Sequence, residues 1–337
     1  MIIPSNDIIE CDAWKKIADH HYGGGKLPPK GLVHCRVKYL YEFFTRCGQE
    51  DKEGPYVLVT SDEDYGLVYQ ERHPVLGDIL KYVAMMHFKT QIENDSGDSY
   101  GDVTIPARCD VRHCDISHRF SFKSYAHTEL TFDTLPDNVK HWFAINGAVE
   151  EDFVTTIPIG VQRGQAKLLG KVEQNRRGLS PSYTYSVDIE GSVRIRTLYV
   201  NFSLHTKARC DAFNYFFLKD YEWATVIQDQ GRTEEEFLED VGSHDFVLCP
   251  QGNGVDTYRL WQALYLGAIP IVNSTMQESF FEGLPILWCD DLDGLQPGAL
   301  ESVKEIAAKA SASFEKARLS YWKTQIADKV REVLEGA

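Results

Sequence analysis

No segment of this chain approaches the run of about 18 uninterrupted apolar residues that a membrane-crossing helix needs. The N-terminus, MIIPSNDIIECDAWKK, has neither the basic leader nor the apolar stretch of a secretion signal. The expectation is a soluble, cytoplasmic protein without a membrane span. Basic charge is also scarce: 35 Lys and Arg stand against 50 Asp and Glu, and no basic run is interleaved with aromatics. Nucleic acid is therefore not an expected partner. Internal repeats and low-complexity tracts are lacking too, which argues against solenoids and disordered tails. Cysteine is present at positions 11, 35, 47, 109, 114, 210, 249 and 289, but at irregular spacing. In a leaderless chain of this size that favours reduced thiols over a disulfide framework. Cys109, His113, Cys114 and His118 include metal-ligand types without the paired C-x-x-C spacing of a zinc module. The sequons at Asn94, Asn201 and Asn273 carry little weight without secretion, and Asn201 falls in an expected buried strand.

What is there is α/β patterning. A chain of 337 residues exceeds one ordinary core, so two domains of roughly 150 residues each are expected. From Thr197 onward each apolar run is followed by a helical pattern: TLYVNFS then Lys207 to Leu218; WATVIQ then Thr233 to Val241; DFVLC then Asp256 to Leu266; AIPIV then Met276 to Phe281; PILW then Leu300 to Ala310. Strands apolar on both faces and alternating with helices imply a doubly wound parallel sheet. The N-terminal half is less regular, with GLVHCRV, YVLVTS at 56 to 61, a helical pattern from Val75 to Phe88 and HWFAI at 141 to 145. Turn residues and basic side chains crowd Gly160 to Gly191, which reads as a linker or interdomain loop. The last helix, about Phe314 to Leu334, is expected to pack back across the first domain.

Residues 245 to 288 carry the chemistry. A buried strand, Asp245 to Cys249, leads into the loop Gly252-Asn253-Gly254 and a helix expected to open at Asp256. Glycine lets backbone approach a ligand closely, and a helix N-terminus offers N–H groups and a positive dipole end to an anion. Asp256 and Arg259, three residues apart, are expected on one helical stripe facing one cavity, as a hydroxyl acceptor and a phosphate donor. A diphosphate-linked sugar offers partners for both. By contrast Gly23-Gly24-Gly25-Lys26 lacks the strand, the spacing and the hydroxyl of a phosphate loop, and reads as a turn.

The block FVLCPQGNGVDTYRLWQALYLGAIPIV resembles the exostosin-type, family 47-like glycosyltransferases, in which a Pro-x-Gly-x-Gly-x-Asp loop precedes an Arg-Leu-Trp helix and a Gly-x-Ile-Pro strand. LYVNFSLHTKARCDAFNYF and IPIG at 157 to 160 are similar to the soluble bacterial and algal large-DNA-virus members, which would put a viral chain in the host cytoplasm. The resemblance covers most of the second half and little of the first. It implies the GT-B fold, two Rossmann-like α/β domains facing across a cleft: an acceptor-binding domain at 1–158, a nucleotide-sugar-binding domain at 159–315, and a C-terminal helix at 316–337. The implied activity is an inverting, metal-independent transfer from a UDP-sugar, with UDP-xylose the choice, to a hydroxyl of an oligosaccharide or glycoprotein glycan, with no cofactor. Carried over by position, Pro250, Gly252, Asn253 and Gly254 border the donor, Asp256 meets sugar hydroxyls, and Arg259 and Arg209, with His205 and Lys207, meet the diphosphate. Gln262 stands where many members have Glu for the ribose. Asp64, with Asp62 second, is the implied base that deprotonates the acceptor, in the loop after YVLVT.

Two other readings stay open. Asp62-Glu63-Asp64 after an apolar strand also suits a GT-A enzyme that holds a divalent cation on the sugar diphosphate. A two-domain fold can also bind a nucleotide-sugar or glycan without turning it over. Each residue has a plain reading as well: Asp256 as a helix cap paired with Arg259, Trp261 and Tyr265 as packing, Arg209 as a solvated side chain.

Overall fold

Apolar runs without alternation become strands buried on both faces. In the computed structural model of the chain, YVLVTS is β3 (Tyr56–Ser61), with every residue buried, and IPIV is β11 (Ile269–Val272), likewise buried throughout. The structure describes residues 3–36, 39–49, 54–61, 136–145, 152–178, 185–187, 193–195, 197–204, 207–228, 231–252, 256–272, 278–289, 291–300, 302–303 and 314–336. Val75 to Phe88, the Cys109–His118 group, and most of the expected helix from Leu300 to Ala310 lie outside them. So do Asp62, Asp64, His205, Asn253 and Gly254.

The chain divides into two compact units, Met1–Cys11 with Pro158–Trp322, and Asp12–Ile157 with Lys323–Ala337. The change at Ile157/Pro158 lies beside the sequence boundary at 158/159, while the first eleven residues group with the second half. The reason is local pairing. Ile9 accepts the Val161 N–H at 2.8 Å, Cys11 donates to the Val161 carbonyl at 2.8 Å, and the Glu10 carboxylate takes the N–H groups of Gly164 and Ala166. Gly160, at φ 71°, lies so close to this segment that a Cβ on it would meet the Ile9 carbonyl oxygen at 2.3 Å.

The unit built on Asp12–Ile157 holds a five-stranded parallel sheet in the order β1-β2-β3-β4-β5, with β1 His20–Tyr22, β2 Gly31–Arg36, β4 Val139–Ile145 and β5 Val154–Ile157. Its core sets Phe43 and Phe44, from the helix Leu40–Gln49, edge-on to Tyr56 and Trp142. All its described strands are parallel, as a Rossmann-like α/β domain requires, and among them strand order follows chain order. The Gly23–Lys26 segment is a turn, with the Gly25 N–H held by Glu42.

The other unit has the sheet β12-β11-β10-β8-β9, all parallel, with β8 Leu198–Val200, β9 Ala224–Val226, β10 Phe246–Leu248 and β12 Leu287–Trp288. Beginning at β8, the chain steps outward to β9 and then returns across β8 to β10. The order reverses between β8 and β10, as in a doubly wound fold. Leu198, Val200, Phe213, Phe216, Phe246, Leu248, Ile269 and Ile271 fill its core.

Two expectations need correction. The interval Gly160 to Gly191 is not a linker: it contains the helix Gln165–Gly178, whose Ala166, Leu169 and Val172 are buried beneath a polar outer face, and β6 (Tyr185–Val187), which pairs antiparallel with β7 (Val193–Ile195). Its helical period was obscured by the basic residues of that face. The helix expected from Asp256 runs over Tyr258–Tyr265, with Thr257 as its N-cap.

Candidate active site

Ligands of doubly wound sheets bind beyond the carboxyl ends of the strands where the order reverses. Here that place is formed by two loops, 201–204 after β8 and 249–252 after β10. Arg209 approaches it from the helix Lys207–Lys219, and Arg259 from the helix Tyr258–Tyr265.

Arg209 connects the two loops. Its Nη1 donates to Ser203 Oγ at 3.1 Å and to the Ser203 carbonyl at 3.4 Å, while its Nη2 occupies the space above Gly252, 2.7 Å from where a Cβ would stand. Arg259 donates from Nη1 to the Asn201 carbonyl and lies 4.1 Å from the centre of the Phe237 ring. Both arginines are part-exposed, and both act on Cys249: burial pushes that thiol up to about 12 against the pull of the two guanidinium charges. The structure thus brings Arg209, Arg259 and Gly252 together, with buried Pro250 in the same loop.

Behind them lies a buried polar chain. Asn201 is fully buried and donates from Nδ2 to Tyr199 OH, which donates in turn to Asp240 at 3.3 Å, and Asp240 is ion-paired with Arg232. A sequon there is inaccessible to modification.

Asp256 is placed differently. It precedes the helix, so it shares no helical stripe with Arg259. It is 2 % exposed, and its two oxygens accept the Ile159 N–H at 2.7 Å and the Trp261 indole N–H at 2.6 Å. Burial pushes its carboxyl up to about 7, against hydrogen bonds from Ile159, Trp261 and Thr257 that pull it down. The carboxylate ties the IPIG segment to the Arg-Leu-Trp helix, which is neither a surface cap nor a surface ion pair. Trp261 is fully buried, and Tyr265 accepts the Ile9 N–H while donating to the Ala317 carbonyl.

Gln262, 4 % exposed, donates to Gln165 Oε1 at 3.0 Å, and Gln165 Nε2 donates to Glu234. Of Lys207 only the backbone is described, opening its helix. Asp62, Asp64, His205, Asn253 and Gly254 lie outside the described residues, so nothing brings them to this site or removes them from it. Among the described residues no group of three or more His, Cys, Asp or Glu side chains could hold a metal ion, and no helix is long and apolar enough to cross a membrane.

Sequence reading missed Phe237, Ser203 and Asn201. Phe237 sits with Leu238 and Val241 in an ordinary helical apolar pattern, which gives no sign that its ring lies under a guanidinium.

Comparison with known proteins adds a local likeness. Residues 171–307 match the family model of the RXYLT1 C-terminal domain. This span is less than half of the chain and contains β8 to β12, Arg209, Gly252, Asp256, Arg259 and Gln262. No curated protein matches the chain. Among solved structures, one that it is similar to is an alpha-glucosyltransferase in complex with UDP-glucose and DNA containing an abasic site, at 8% identity and a TM-score of 0.26, covering 90% of this chain and 76% of that one.

Proposed function

We propose that this chain is a glycosyltransferase that moves a sugar from a UDP-sugar to a hydroxyl of a glycan acceptor. The observation that carries the proposal is the meeting of Arg209 and Arg259 at the loops after β8 and β10, where the strand order reverses. Two guanidinium groups suit the departing diphosphate, whose charge must be neutralised as the glycosidic bond breaks. The match of residues 171–307 to a domain of a xylosyltransferase makes UDP-xylose the first donor to test.

In the proposed reaction an acceptor oxygen bonds to the anomeric carbon as its bond to the diphosphate breaks. The acceptor proton passes to Asp64, with Asp62 the second choice, and UDP leaves into the arginine pair. A single displacement of this kind inverts the anomeric centre, and the two fixed cations take the part a metal would play. The loop Pro250, Gly252, Asn253 and Gly254 borders the donor in this reading, His205 and Lys207 are further phosphate partners, and Asp256 and Gln262 support the site from beneath through Ile159 and Gln165.

The test is release of UDP from UDP-xylose and other UDP-sugars in the presence of oligosaccharide acceptors, with and without EDTA. The expected result is turnover that persists in EDTA and falls tenfold or more in Arg259→Ala and Arg209→Ala, since a hydrogen bond to a charged group contributes about 1.5–3 kcal/mol. Loss of activity in EDTA with rescue by manganese would overturn the metal-free mechanism. Tight UDP-sugar binding without turnover on any acceptor would turn the reading towards a binding module.

A further inference from the structure

We propose that Phe237 and Gly252 are positioning residues that preset the guanidinium groups of Arg259 and Arg209 for a diphosphate, and so favour diphosphate over monophosphate ligands. The inference rests on reading the site as a nucleotide-sugar site.

An arginine side chain is rich in rotamers, and an anion that has to order it loses affinity in doing so. Fixing the head beforehand removes the cost. Arg259 is fixed on one face and one edge: the ring of Phe237 lies 4.1 Å from its Cζ, and Nη1 is held by the Asn201 carbonyl. Phe237 is itself anchored, since its helix Glu234–Ser243 begins in a capping box in which Thr233 Oγ accepts the Glu236 N–H and Glu236 takes the Thr233 N–H.

Arg209 is fixed by an absence. Its Nη1 holds Ser203, and its Nη2 and Cζ lie 2.7 and 3.3 Å from the position a Cβ of residue 252 would take. Gly252 is not among the glycines with positive φ. Its backbone therefore accepts any residue, and what the site needs from glycine is the empty volume beside the guanidinium. The far end of a flexible side chain yields easily, so a methyl group there displaces the Arg209 head and leaves the fold intact.

Both heads are anchored on one loop, Arg259 at Asn201 and Arg209 at Ser203. Two cations fixed two residues apart along one loop offer separate partners to two linked phosphoryl groups, and a single phosphoryl group can use only part of that array.

The test is calorimetric titration of the full chain with UDP, UMP and inorganic pyrophosphate, together with unfolding midpoints measured without ligand. Wild-type protein is expected to prefer UDP over UMP. Phe237→Leu should weaken UDP binding by about 2- to 30-fold, the range a cation–π contact supplies, Gly252→Ala should weaken it by up to about 30-fold through the displaced Arg209 head, and both should narrow the UDP/UMP ratio at an unchanged midpoint. Phe237→Tyr, which keeps the ring, should retain wild-type affinity and ratio, which a merely structural role would not require. Variants that bind UDP with wild-type affinity and ratio would overturn this inference alone. Wild-type protein that binds neither UDP nor pyrophosphate would overturn it together with the nucleotide-sugar reading.

Discussion

The carboxylate of Asp256 receives the backbone N–H of Ile159 at 2.7 Å, so a side chain just ahead of the Arg-Leu-Trp helix fixes a segment almost a hundred residues upstream. The Trp261 indole N–H occupies its other oxygen. Truncation to Asp256→Ala leaves two buried donors without their acceptor, each costing about 1–3 kcal/mol. Urea unfolding should show a loss of roughly 2–6 kcal/mol. A loss below about 0.5 kcal/mol, the range of ordinary surface substitutions, would mean the bridge is not formed.

The same residue gives a pH signature. Its carboxyl is raised to about 7 in the fold, against an ordinary value of 3.8. The folded protein therefore holds this proton more tightly than the unfolded chain does, and its contribution to stability falls as pH rises from about 4 to about 7. The stability of wild type relative to Asp256→Asn is expected to decline over that interval and level off above it. A difference that stays flat or rises with pH would contradict the assignment.

Two histidines in the other unit have the opposite sense. Burial is the first cause that holds His34 at about 3 and His141 at about 4, below the ordinary 6.5, and each ring shares its Nε2 with a hydroxyl, Ser61 Oγ at 3.0 Å and Thr155 Oγ1 at 2.9 Å. Both stay neutral in the fold while the unfolded chain takes up protons. The stability they confer is complete above pH 6.5 and is lost as pH falls towards 4. Imidazole NMR signals for both should remain those of the neutral ring at about pH 5. An imidazolium signal for either at about pH 6 would refute it.

Gly160 and Ile9 join the N-terminal segment to its unit. At φ 71°, with the Ile9 carbonyl oxygen 2.3 Å from an added Cβ, Gly160→Ala must shift backbone and not merely a side-chain tip. The expected cost is roughly 2–4 kcal/mol, read as a lower urea midpoint. An equal loss on deleting the segment that carries Ile9 and Glu10 would identify the pairing as its cause.

The unit that holds β8 to β12 was largely legible in the sequence because parallel strands buried on both faces leave continuous apolar runs: LYV, ATV, FVL and IPIV all became strands. That Arg209 and Arg259 share one ligand was implied by the resemblance alone; the strand order then sets side by side the loops they reach. Burial of Asp256 could not be read, since its partners are a backbone N–H far away in the chain and an indole whose direction depends on where the helix begins. The helix Gln165–Gly178 was hidden for a related reason: its buried stripe is narrow, and Glu10, which holds the N–H groups at its start, comes from the other end of the chain.

At Gln262 the resemblance and the geometry point to different roles. The resemblance puts Glu at this position to bind ribose, yet here the side chain is buried and donates to Gln165, whose own amide donates to Glu234. In Gln262→Glu a carboxylate would face the Gln165 oxygen. Turning the Gln165 amide would relieve that contact only by presenting its oxygen to Glu234. Either arrangement leaves a repulsive pair, so the substitution should destabilise by about 1–3 kcal/mol without strengthening UDP binding. The double variant Gln262→Glu with Glu234→Gln should recover part of the loss, because the turned Gln165 then donates to the new carboxylate at position 262 and accepts from the new amide at position 234, while the Gln162 N–H gives up the oxygen it bonds at 3.1 Å. Tighter UDP binding in the single variant would instead place residue 262 on the nucleotide.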